Sequence, residues 1–77
     1  MDINTTCSLN NFELTDREKI ILQYIVDGYE NSEISNEIFL SIHTVKAHVS
    51  AIIRKLKAKN RTHAACIAIK FGVCSLK

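Results

Sequence analysis

Apolar positions recur along this chain at intervals of three and four residues, broken by short polar turns. The string "LTDREKIILQYIVDGYE" opens with Thr15 followed three residues on by Glu18, a pair whose hydroxyl and carboxylate satisfy orphan backbone amides at a helix start. The spacing predicts a helix over 16–27 that stops at Gly28, a residue able to take the left-handed C-terminal conformation. At roughly 100° per residue, Leu22, Ile25, Val26 and Tyr29 share one face, and Glu18 falls within that stripe. "NSEISNEIF" predicts a second helix over 32–38, capped by Asn31 or Ser32, with Ile34 and Ile38 one turn apart. After "FLS", Ser41 can cap a third helix over 42–57, in which Ile42, Val45, Val49, Ile52, Ile53 and Leu56 repeat at helical spacing. His43, Lys46, Ala47, Ser50 and Arg54 line one flank of that stripe, and Thr44, His48, Ala51 and Lys55 the other. "THAACIAIKFG" predicts a fourth helix over 62–71, apolar on more sides than one packed face requires. Residues 1–12 are polar and aperiodic and read as a flexible leader to one domain over 13–77. The expected class is all-α, with four helices.

The composition agrees: there is no proline, and an apolar fraction of 47% in a chain of 77 residues is ample for one small core. Charge changes the picture more. All eight acids lie in residues 1–37 beside only Arg17 and Lys19, whereas residues 38–77 hold eight bases and no acid. Such a division points to a partner that is a polyanion, either nucleic acid or an anionic membrane surface. The membrane fails because the apolar stripe of the third helix is needed to make a core, and the longest apolar run is interrupted by Glu18, Lys19, Gln23 and Asp27. Cys7, Cys66 and Cys74 form no CxxC and follow no secretory leader, so reduced thiols and a cytoplasmic location are expected.

A short helix, a turn of about three residues and a longer helix with an apolar back and a basic front is the arrangement a helix-turn-helix uses in the major groove of DNA. The groove admits one helix, and its phosphate walls attract lysine and arginine whatever the sequence. With "LTDRE" at 14–18, Gly28, Asn31, "EI" at 33–34, "LS" at 40–41, "TVKAH" at 44–48, "KL" at 55–56 and "NR" at 60–61, the chain resembles the LuxR-type (GerE-like) helix-turn-helix domain of bacterial transcription regulators. The resemblance runs over residues 13–73 without a gap. It implies a four-helix fold and a sequence-specific regulator of transcription that binds double-stranded DNA and pairs as a homodimer through the fourth helix. It places Lys46, Ala47 and Ser50 toward base edges, and Thr44, Lys55 and Arg61 at phosphate-side or scaffold positions. His43 and Arg54 join the base side from the wheel, and Asn31, Ser41, His48 and Lys59 complete the phosphate side. Ala47 can touch a thymine methyl, but neither it nor Ser50 makes a bidentate base contact.

Three departures from the family pattern stand out. Ser35 replaces the usual alanine and needs a backbone carbonyl for its hydroxyl. Lys57 replaces the glycine that often ends the third helix, and a left-handed lysine there costs about 1 kcal/mol. Ile20 is apolar where an exposed polar residue is common, either as a stray surface residue or as a contact for another protein.

His43 and His48 lie five residues apart and cannot share a metal, and the pair His63 and Cys66 lacks two further ligands, so no metal, cofactor or enzymatic activity is expected. A carboxylate on an inward stripe needs a partner beyond its cap, and Arg61, in the loop before the fourth helix, is the candidate for Glu18. The fourth helix exposes His63, Cys66, Ile67 and Lys70 as the expected dimer face. A sigma-factor-like or adaptor module that binds the transcription machinery is the alternative function, and RNA polymerase a further candidate partner. Two arrangements fit so short a chain: a stand-alone regulator set by its amount and partners, which the leader from Met1 favours, or the DNA-binding end of a longer regulator carrying a receiver or sensor domain.

Overall fold

The computed structural model describes residues 12–74. The expected leader over 1–12, with Cys7, lies outside the described residues except for Phe12. Among the described residues there are four helices and no strand: α1 (Asp16–Val26), α2 (Asn31–Ile38), α3 (Ile42–Leu56) and α4 (Arg61–Lys70). The central element is α3, which packs against each of the other three, while α4 closes over α1 and α3.

The helix starts are set by short polar side chains. Thr15 Oγ1 accepts from the Glu18 N–H at 3.1 Å, and Glu18 Oε1 accepts from the Thr15 N–H at 2.9 Å, so the expected reciprocal cap is present. Ser41 caps α3 by accepting from the Thr44 N–H, and Asn60 caps α4 by accepting from the His63 N–H at 2.8 Å. For α2 the expected cap of Asn31 or Ser32 is corrected: the cap position is Glu30, whose N–H donates to the Glu33 carboxylate at 2.8 Å. Asn31 is not spare for capping, because its side chain accepts a bond from Arg61. Both α2 and α4 consequently begin one residue earlier than the spacing suggests.

All four helices stop the same way. Gly28, Phe39, Lys57 and Gly72 take left-handed backbone, at φ of 92°, 57°, 56° and 75°. The N–H of the following residue then reaches back five positions: Tyr29 to the Tyr24 carbonyl, Leu40 to Ser35, Ala58 to Ile53 and Val73 to Ala68. This closure satisfies carbonyls that a helix end leaves open. Lys57 is left-handed as expected; Phe39 has the same conformation with no glycine to announce it.

The core comprises Leu14, Ile21, Leu22, Ile25, Ile34, Val45, Val49, Ile52, Leu56, Ala64, Ala68 and Cys74. The buried arc of α1 is Glu18, Ile21, Leu22 and Ile25, centred nearer Ile21 than the predicted stripe, because both α3 and α4 cover this helix; Val26 and Tyr29 sit at its margin. Ile42 departs from the α3 stripe and is 37% exposed. Phe71, expected to end the fourth helix, falls just past the end of α4; its ring meets Phe12 edge-on at 5.7 Å, and the turn beyond it tucks Cys74 into the core. Ser35 finds the carbonyl it needs, donating to Ser32 at 2.8 Å.

Candidate nucleic-acid interface

The apolar back of α3 turns inward through Val45, Val49, Ile52 and Leu56, and this orients one flank of the helix outward. His43, Lys46, Ala47, Ser50 and Arg54 are all exposed. No side-chain hydrogen bond or ion pair ties any of them to the other described residues. A lysine, an arginine, a histidine and a hydroxyl thus stand along one face of a 15-residue helix, with Ala47 leaving room for close approach between them.

The other flank is different. Lys55 Nζ lies 2.8 Å from Glu18 Oε1 and donates a second bond, at 3.2 Å, to the carbonyl of Glu13. Glu18 itself is only 5% exposed. Burial pushes its carboxyl up, but the hydrogen bond and charge of Lys55, together with the Thr15 amide and hydroxyl, outweigh that and hold it below the ordinary carboxylate value. The expected pair of Glu18 with Arg61 is therefore corrected: Lys55 arrives from α3 directly opposite Glu18, and the cap and the ion pair share one carboxylate. Arg61 is the first residue of α4, not part of the loop, and points elsewhere, donating to the Asn31 side chain and to the carbonyl of Tyr29. It fastens the start of α4 to the turn between α1 and α2.

Several residues expected on the phosphate side thus have internal partners. Asn31 and Arg61 hold each other, Lys55 holds Glu18, and Ser41 caps α3 with its hydroxyl 3.0 Å from that of Thr44. His48 is half-buried, and Lys59 is exposed. On α4, Cys66 and Lys70 are exposed, Ile67 is half-buried against the core, and His63 Nδ1 accepts from the Lys59 N–H at 2.9 Å. Cys66 and Cys74 are free thiols; burial first, and then the charge of Asp27, pushes the Cys74 thiol up to about 11, which keeps it protonated and unreactive. Among the described residues no cluster of His, Cys, Asp and Glu could hold a metal ion, and no helix is long and apolar enough to cross a membrane.

Sequence reasoning missed Lys55 as the partner of Glu18 and Phe39 as an exposed ring. The first has no local signal, since the two residues lie 37 positions apart. The second had one: the "FLS" break that ends the second helix.

Comparison with known proteins assigns the chain to a family. Residues 13–68 match the family described as bacterial regulatory proteins, luxR family (GerE). The chain is 44% identical over 62 residues to the uncharacterized transcriptional regulatory protein YhcZ of Bacillus subtilis, covering 80% of this chain and 29% of that one. It is 41% identical over 61 residues to the transcriptional regulatory protein LnrK of the same organism, covering 79% and 28%. Against the response regulator protein VraR of Staphylococcus aureus, identity is 46% over 60 residues, covering 78% and 29%. The chain therefore spans under a third of the length of these relatives. On the match over residues 13–68, which takes in all of α1, α2 and α3, this chain belongs to the luxR family of bacterial regulatory proteins.

Proposed function

We propose that the chain binds double-stranded DNA in a sequence-specific manner and regulates transcription, with α3 lying in the major groove. The observation that carries this reading is the free flank of α3, where Lys46, Arg54, His43 and Ser50 project from a helix whose opposite side is locked into the core. Groups without an internal partner keep their hydrogen-bonding capacity for base edges and phosphates. Names of the relatives, transcriptional regulatory proteins and a response regulator, support the same reading. Lys59, exposed just beyond the end of α3, is the phosphate contact the reading favours.

Binding as a dimer belongs to the proposal. Cys66, Ile69, Lys70 and Phe71 leave exposed side chains at and just beyond α4, and a two-fold axis there would set two copies of α3 on paired half-sites.

The test is selection of random duplexes on the purified chain, followed by titration of the selected site. Lys46→Ala is expected to weaken that site by about 1 to 3 kcal/mol while leaving random DNA little changed. A folded Lys46→Ala protein with full affinity would overturn the docking face. No enriched sequence at moderate salt would instead favour the protein-interaction module.

A further inference from the structure

Phe39 is the least protected large apolar residue among those described, with 91% of its surface in water. It also holds left-handed backbone, at φ 57° and ψ 41°, as the stop of α2. Left-handed backbone disfavours a residue with a Cβ, and an isolated phenyl ring in water gains nothing from burial. Glycine or asparagine would serve the turn better, and the core does not use the ring, so neither local conformation nor packing accounts for phenylalanine here. A residue that breaks two local rules without an internal return points to a contact outside the domain.

Its position names the partner. Phe39 lies three residues before Ile42, the first residue of α3, at the N-terminal end of the helix, and in helix-turn-helix proteins that end approaches base edges. From residue 38 onward the chain carries eight bases and no acid, so the segment that Phe39 leads into is suited to a polyanion and not to an apolar protein. The apolar feature that the DNA major groove presents is the 5-methyl group of thymine, which phenylalanine and alanine side chains contact. The α3 flank is poor in base-discriminating groups at Ala47 and Ser50, so a methyl contact from the turn adds selectivity that the flank lacks. We propose that the Phe39 ring reads a thymine methyl at the edge of the site, an assignment that rests on the DNA-binding reading above.

The experiment uses the full chain and the duplex it selects, with each thymine replaced in turn by deoxyuridine, so that only one methyl group is lost. At one position the replacement should lower wild-type affinity about fourfold, the value of one buried carbon. Phe39→Gly, which suits the left-handed backbone, should bind both duplexes equally and match the wild type on the deoxyuridine duplex. Its melting temperature should equal or exceed that of the wild type; if it does not fold, Phe39→Asn, also tolerant of this backbone, carries the same comparison. Indifference of the wild type to every methyl removal overturns the proposal, as does methyl sensitivity that persists without the ring. An equal loss on every duplex, random sequence included, assigns the ring to deoxyribose and overturns it too. A wild type that enriches no duplex removes the DNA-binding reading itself, and the Phe39 contact with it.

Discussion

Glu18 performs two tasks with one oxygen: its Oε1 accepts from the Thr15 amide and from the Lys55 ammonium. Removing either partner leaves a poorly solvated group behind, which costs more than the pair contributes by itself. Glu18→Ala and Lys55→Ala, combined in a double-mutant cycle followed by denaturant unfolding, should therefore show coupling above about 0.5 kcal/mol. Glu18→Ala with Arg61→Ala should be additive, because those side chains have separate partners; strong coupling there would restore the rejected pair. The pH dependence follows from the depressed carboxyl. The folded state keeps Glu18 ionised to lower pH than the unfolded chain does, so its contribution is complete above the unfolded carboxylate value and is lost as pH falls through the folded one. Glu18→Gln should flatten that part of the acid unfolding curve. The inward placement of Glu18 is legible in the spacing of the first helix, whereas its partner is not, because which of two bases meets it depends on how α1 crosses α3. Lys55 also shows that a basic residue on α3 need not be free for an outside partner: an internal carboxylate has claimed it.

Each helix is defined by its ends as much as by its stripe. Gly28 and Gly72 are readable as stops from the string, and Lys57 from its place where the resembled family often has a helix-ending glycine; the structure places all three in left-handed backbone. Phe39 escapes that reading because its side chain says strand or core while its backbone obeys the turn. At Lys57 the conformational cost has no evident return, so Lys57→Gly should raise unfolding free energy by up to about 1 kcal/mol, measured by chemical denaturation; a loss would mean that the lysine stem packs usefully on its neighbours. The face of α4 is the least legible element, since apolar residues surround it and periodicity cannot choose among them. Its burial pattern does choose: Ala64 and Ala68 are inside, Ile67 is half-buried, and Cys66 is outside. A charge introduced as Cys66→Glu thus spares the core where Ile67→Glu would not. Cys66→Glu should retain the wild-type melting curve yet lose far more affinity for a duplex with two half-sites than for one with a single half-site. Equal losses on the two duplexes would exclude pairing through this face.

For the molecule as a whole, the division of charge follows the elements: α1 and α2 carry acids, whereas α3 and α4 carry bases and no acid. The helix α3 is fixed independently of any partner. Ser41 closes its first turn, Lys57 its last, and Val45, Val49, Ile52 and Leu56 anchor its middle to the other three helices. A rod secured at both ends and along its back has no ordering left to do when it meets DNA. The heat capacity change of binding, obtained by titration calorimetry at several temperatures, should accordingly be small and set by the area of contact alone. A large negative value is the signature of a segment that folds as it binds, and finding one here would mean that α3 is less firmly held than its two caps imply.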